Sequence, residues 1–249
     1  MAPMAASDSF VHLHVHTDYS MLDGAGKISS YVAEAARQEM SALAITDHGY
    51  MFGAYEFYNA CKKAGIKPII GVEAYMTPGT SRFDKTRVFW GDESQRSDDV
   101  SARGSYTHMT LLSRNNEGLH NLMRLDSYAS LEGQWGKSPR MDRELLSRYS
   151  KGLIGTTACP SGEVQTRLRL GQYDEALRAA GEFQDIFGKD FFYVEIMDHG
   201  LEIERRVTKD LLRLAADLNA PLLATNDSHY VKPTDREVQD AMLFINLSL

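Results

Sequence analysis

Seven short apolar runs, at 10–15, 42–46, 68–75, 107–112, 153–157, 191–196 and 221–225, alternate with stretches of helical spacing. The helical stretches are 28–38, 52–64, 116–130, 162–170 with 174–187, 202–218 and 234–244. In 202–218 the residues Ile203, Val207, Leu211, Leu214 and Leu218 form one stripe of period 3.6. Strands that alternate with helices are joined by crossovers, and crossovers make parallel sheets covered by helices. The pattern therefore predicts an α/β fold with a parallel sheet. A closed barrel is the expected form, with a doubly wound open sheet as the alternative.

A length of 249 residues with 43% hydrophobic side chains is enough for one large core, and the chain is read as a single domain over 1–249. No apolar run approaches the roughly 20 residues that a membrane span needs. Residues 1–9 are small and polar, without the basic flank and apolar centre of a signal peptide, so a cytoplasmic address is expected. Cys61 falls in a helical pattern and reads as a small buried hydrophobe; Cys159 ends an apolar run just before Pro160. A disulfide between them is not expected in a cytoplasmic chain. The stretch 77–105, rich in Gly, Ser, Asp and Arg, is far longer than an ordinary βα connection and reads as a surface excursion. The net charge of −7 argues against strong independent binding of nucleic acid. It leaves room for a nuclease whose metal ions carry the positive charge.

The first run holds His12, His14 and His16 in alternation with Val11, Leu13 and Val15. Side chains on a strand alternate, so the three imidazoles share one face and are expected to point toward the barrel axis. A lone histidine in a strand is more often a packed core residue than a ligand. Three in alternation reverse that, because burying three such rings without metal or acid partners is costly.

Other strands deliver similar groups. The second runs into Asp47 and His48, and the third carries Glu73 inside an otherwise apolar run. The fifth ends at Cys159, and the seventh ends in Asp227 and His229, two residues apart. In barrels of this kind the functional end is the C-terminal rim of the strands. Taken singly, Asp47 or Asp227 could cap a loop, Glu73 could pair with a buried cation, and Cys159 could be packing. Jointly they point to metal.

His14-x-His16-Thr17 with Asp23 seven residues on resembles the opening motif of the PHP (polymerase and histidinol phosphatase) family. The segment 12–24 is similar to the start of the alpha subunit of bacterial DNA polymerase III, of actinobacterial type. So are Thr46-Asp47-His48-Gly49, the segments 65–73 and 159–165, and Ala224-Thr225-Asn226-Asp227-Ser228-His229-Tyr230. The resemblance covers nearly the whole chain. It implies a distorted (β/α)7 TIM-like barrel with three divalent metal ions, zinc first and manganese or iron as substitutes. The implied ligands are His14, His16, Asp23, His48, Glu73, His108, Cys159, Asp227 and His229, all of metal-competent type. A complete set resembles those members whose domain is a proofreading 3′→5′ exonuclease.

The resemblance also implies roles. Glu73 would bridge ions, Asp23 and His48 would handle protons, and Thr17, Tyr19, Asp47 and Asn226 would support the ligands. The partners would be a DNA 3′ end and, in the full-length DNA-directed polymerase, its remaining domains and through them the sliding clamp, in the cytoplasm at the nucleoid and with no membrane. His108 begins its run rather than ending it, so the strand pattern does not explain how it reaches the rim; His120 is a weaker candidate. Gln239 stands where the family often has His, and 244–249 lacks the usual glycine-containing turn. The tail is expected to be a truncated or engineered end, because the polymerase palm, fingers and clamp-binding regions are absent from the chain.

Several residues carry balanced readings. Asp198 and His199 fit a substrate contact or a loop cap, and His12 fits support or core packing better than ligation. Arg205, Arg206, Lys62 and Lys63 read as solvated helix charges. Two other functions stay open: a small-molecule phosphatase of histidinol-phosphatase type, separated by its phosphomonoester substrate, and a non-catalytic scaffold that binds metal without turnover.

Overall fold

The computed structural model describes residues 10–21 and 23–248, with the side chains of 246–248 left aside. The polar segment 1–9, Leu22 and Leu249 lie outside the described residues. The chain divides into two compact units, Met1–Val72 with Asn226–Leu249, and Glu73–Thr225.

The first unit contains helix α1 (Ile28–Arg37), strand β1 (Ala42–Ile45), helix α2 (Ala54–Ala64), the first half of β2 (Lys67–Met76) and the C-terminal helix of the chain (Arg236–Ser248). β1 and β2 pair in parallel, with Ala42 opposite Lys67 and Ile45 opposite Ile70. α1 buries Ile28, Tyr31, Val32 and Ala35, the i, i+3, i+4, i+7 stripe of an amphipathic helix. α2 buries Phe57 and Cys61 and stops at Gly65, whose φ of 75° suits the residue that ends a helix.

The first predicted strand, 10–15, is extended but not regular. Val15 bridges Ser228 in parallel. The Ala44 amide donates to the His12 carbonyl (2.9 Å), and the His16 amide to the Ser228 carbonyl (2.8 Å). The segment thus runs between β1 and the residues that follow Thr225. Its early part departs from strict alternation, and this overturns the expectation of three histidines on one face. His12 instead lines a small cavity with Val15, Tyr31 and Met40, its ring edge-on to Phe10 at 5.0 Å.

The second unit holds the rest of β2, then α3 (Ser101–Gly104), a single turn whose Ala102 and Arg103 are left-handed rather than α-helical, β3 (Thr107–Ser113), α4 (Asn116–Glu132), β4 (Arg140–Met141) and α5 (Arg143–Tyr149). It continues with β5 (Leu153–Thr156), α6 (Glu163–Arg169), α7 (Tyr173–Phe187), β6 (Phe192–Ile196), α8 (Glu202–Leu218) and β7 (Leu222–Ala224). β5, β6 and β7 are parallel neighbours, with Gly155 opposite Phe192 and Val194 opposite Leu222. β4 joins β2 in parallel. The Asn115 and Asp142 side chains cap α4 and α5, each accepting from an amide three residues on at 2.9 Å.

The mixed α/β class and the strand–helix alternation match the sequence. One strand departs from the expected all-parallel sheet: β3 pairs antiparallel with β5, Leu111 opposite Gly155 and Ser113 opposite Leu153. The strand before it is followed by the excursion rather than by a crossover helix, so nothing obliges β3 to run parallel.

Candidate metal centre

In the first unit, six of the expected ligands converge: His14, His16, Asp23, His48, Asp227 and His229. His14 and His16 are fully buried. Asp227 Oδ1 lies 3.4 Å from His14 Nε2, 3.2 Å from His16 Nε2 and 3.6 Å from His229 Nδ1. Asp23 Oδ2 lies 2.9 Å from His48 Nε2. The His16 and His229 rings stack at 4.2 Å, and His16 and His48 lie 4.1 Å apart. Ligand atoms of His16, His48 and His229 all fall within 4.8 Å of one another, close enough to share one ion.

The ring protons can be placed by elimination. Ser20 Oγ donates its single proton to Asp47 Oδ1 (3.0 Å), since a carboxylate only accepts. His16 Nδ1, 2.9 Å from the same hydroxyl, must then be the donor. His229 Nδ1 faces the Asp227 carbonyl at 2.9 Å and is likewise a donor. Both rings therefore commit Nδ1 to the protein and leave Nε2 as the atom that could bind a metal. Asp47 is the anchor of this outer layer, accepting also from the Thr17 amide (2.6 Å) and hydroxyl (2.9 Å). Burial pushes the Asp47 carboxyl up, against the bonds from Thr17 and Ser20. Thr17 and Asp47 thus do what the sequence suggests. Tyr19 instead bonds Glu56 at 2.9 Å, and Asn226 is exposed.

Two carboxylate atoms bear on whether the site suits metal. Asp23 Oδ1 and Asp227 Oδ1 are buried, and among the described residues neither has a hydrogen bond of good geometry, although His14 and His16 Nε2 lie 3.4 and 3.2 Å from Asp227 Oδ1. For Asp23, burial raises the pKa, but the hydrogen bond and charge of His48, with His229 and His16, outweigh it and hold the carboxyl below the usual range. Asp227 behaves alike: burial opposes ionisation, and His14, His16 and His229 more than offset it. Asp227 also adopts a positive φ of 41°, a strained state that the surroundings hold. Carboxylates held ionised among imidazole nitrogens form a donor set that fits a divalent cation, which would take the place of the protons those rings carry.

The second unit brings together Glu73, His108 and Cys159. Glu73 is fully buried in β2. Its Oε1 lies 2.9 Å from His108 Nδ1 and accepts from Cys159 Sγ at 3.1 Å. The Cys159 sulfur is 3.5 Å from His108 Nδ1. The antiparallel course of β3 explains what the sequence pattern could not. Because β3 runs against β5, its first residues lie beside the end of β5, and His108 meets Cys159 there. The His108 amide donates to the Ser161 carbonyl at 3.0 Å, which fixes this meeting. His120 is exposed on α4 and joins nothing here. Neither cysteine is in a disulfide.

A family model described as the PHP domain matches residues 12–199. The chain belongs to the PHP domain family. It is 58% identical to the DNA polymerase III alpha subunit of Saccharopolyspora erythraea over 96% of its length, and covers 20% of that protein. It is 58% identical to the same subunit of Mycobacterium tuberculosis over 98% of its length, covering 21% of that protein. The chain thus spans about a fifth of the length of these relatives. Among solved structures, an amidohydrolase from Chromobacterium violaceum with bound sulfate shares the fold, with a TM-score of 0.51 and 15% identity over 94% of this chain and 97% of that one.

The weaker candidates resolve into local structure. The buried Glu204 holds His199 Nδ1 at 2.5 Å and accepts from its amide, tying the loop to the start of α8. Arg206 makes two bonds to Asp98, at 3.0 and 2.9 Å. Lys62 and Lys63 are exposed. Sequence reasoning missed Ser20, which carries no signal beyond its place between His16 and Asp23. Among the described residues no helix is long and apolar enough to cross a membrane.

Proposed function

We propose that this PHP domain is a metal-dependent phosphoesterase that shortens DNA from the 3′ end, the proofreading 3′→5′ exonuclease of a replicative polymerase alpha subunit. The observation that carries the reading is the completeness of the donor set. Six donors gather in the first unit and three in the second, with no position lost to a residue that cannot bind metal. We assign to them three divalent ions, zinc first, since imidazole, carboxylate and one thiolate suit it.

Divalent ions held by such donors supply Lewis acidity and an activated water for in-line displacement at phosphorus. The chain's own residues do the remaining work. His16 and His229 present Nε2, oriented by Ser20 and by the Asp227 carbonyl. The Asp23–His48 pair, 2.9 Å apart, is suited to accept a proton and pass it on. Glu73, which the resemblance casts as a bridging carboxylate, would help hold the ions together with His108 and Cys159, both of which its Oε1 faces. The remaining polymerase domains, and through them the clamp, are the proposed partners.

The test pairs metal analysis of the purified protein with two substrates, a DNA oligomer and p-nitrophenyl phosphate. Bound metal with hydrolysis of the oligomer at the higher kcat/KM is the expected result. Preference for the monoester would contradict the exonuclease in favour of a phosphatase, and bound metal without turnover of either would leave a scaffold.

A further inference from the structure

The second unit contains an open cavity of about 460 Å³ beside the Glu73–His108–Cys159 cluster, lined by Phe89, Arg96, Arg103, Pro160, Ser161 and Arg169 among others. Pro160 and Ser161 directly follow Cys159, and Ser161 is the residue whose carbonyl receives the His108 amide. The loop after Cys159 therefore lines the cavity and is bonded to the backbone of His108.

Its charge differs from that of another cavity of this unit, about 350 Å³ around Arg82 and Phe83. There the one deep cation is spent: Arg82 is bonded to Glu132 (2.6 Å), Glu144 (2.7 Å) and Asp142 (3.0 Å). In the cavity beside Cys159 the balance is reversed. Asp99, its one carboxylate, is consumed by the amides of Trp90, Gly91 and Val100 at 2.6–3.0 Å. Arg96 and Arg103 are exposed and form no ion pair among the described residues. The Arg96 guanidinium lies over the exposed ring of Phe89 at 3.6 Å, a cation held against a flat aromatic face.

A second observation concerns the backbone. Ala102 and Arg103 both adopt the left-handed conformation (φ 51° and 57°), followed by Gly104 at 84°. Consecutive left-handed residues with side chains are rare and persist only where the surroundings over-determine them. Here Arg87 Nη1 donates to the Ala102 carbonyl (3.0 Å), the Arg103 carbonyl (2.8 Å) and Ser105 Oγ (3.2 Å). The strained turn is thus stapled from behind by one arginine, while its other arginine lines the cavity.

We infer that this cavity is a docking groove for single-stranded DNA, in which Arg96, braced against the Phe89 ring, and Arg103 hold backbone phosphates upstream of the nucleotide to be removed. The inference deepens the exonuclease reading and rests on it for the identity of the occupant. Positive side chains that track the phosphate backbone are the general source of sequence-independent grip on a single strand. It also explains how a chain of net charge −7 engages a polyanion: the positive charge is local.

The test is fluorescence anisotropy of a 5′-labelled oligothymidylate bound to the whole chain over a salt series, without turnover, in calcium buffer. Arg96→Ala with Arg103→Ala is expected to weaken binding about tenfold at low salt and to reduce the slope of log K against log salt by roughly 1.4, two phosphate contacts at ~0.7 each. Arg96→Lys with Arg103→Lys, which keeps the charges, should restore most of both. Lys62→Ala with Lys63→Ala removes the same charge from α2 and should leave affinity within twofold. Unchanged affinity and slope in the double alanine variant, or an equal loss in the lysine control, would overturn the groove. Because binding is read apart from cleavage, a protein that binds in this way yet shortens no oligomer supports the groove while contradicting the exonuclease.

Discussion

Ser20 has one proton, and Asp47 takes it. Everything about the orientation of His16 follows, because its Nδ1 can then only donate and its Nε2 is left for metal. Ser20→Ala removes that constraint without touching a ligand. Supporting bonds of this kind are worth about 10- to 100-fold in metal affinity. A loss in that range is expected in competition with a fluorescent chelator; unchanged affinity would contradict the tautomer argument. Cys61 gives a second prediction. It is fully buried, and burial pushes its thiol up to about 11. It should resist aromatic disulfide reagents at pH 8 in the native protein and react once unfolded. Since the folded pKa is raised, its contribution to stability is complete below the unfolded thiol pKa, near 9, and is lost as pH rises toward 11. Denaturation midpoints that did not fall in that window, in comparison with Cys61→Ala, would contradict the shift.

At the scale of elements, the excursion after β2 is tied down by a buried network. Arg140, fully buried, donates to the carbonyls of Arg82 (3.2 Å), Asp84 (2.9 Å) and Ser105 (3.3 Å), while Asp142 both pairs with Arg82 and caps α5. Asp142→Ala removes a buried partner and a cap together, and a loss of about 3 to 5 kcal/mol is expected in urea denaturation. A cost below about 1 kcal/mol would mean that the network is ornamental. This network was illegible in the sequence: β4 is two residues long, and no periodicity announces two residues. The helices were legible because their stripes repeat over several turns, as in α8. His14, His16, Glu73, Asp227 and His229 were legible as candidates because polar residues on or just beyond apolar strands need a reason. His108 was placed only by family resemblance, because local spacing does not say which way a strand runs. His12 was misplaced because alternation was extended into residues that lack a regular ladder.

At the scale of the whole molecule, the proposed metal ions would stabilise a native state that gathers buried carboxylates and imidazoles. A ligand bound only by the native state at 100 times its Kd adds about 2.7 kcal/mol. For a chain of this size each kcal/mol moves Tm by about 2–4 °C. Chelation should therefore lower Tm by roughly 5–10 °C, with recovery on adding zinc; an unmoved Tm would contradict a metal that matters to the fold. The most direct test of the central proposal is a gel ladder from a 5′-labelled DNA oligomer incubated with the chain, beside Asp23→Asn and a chelated control. The expected result is shortening by single nucleotides from the 3′ end, absent in both controls. An intact oligomer from folded, metal-loaded protein, or a ladder that survives in Asp23→Asn, would contradict it.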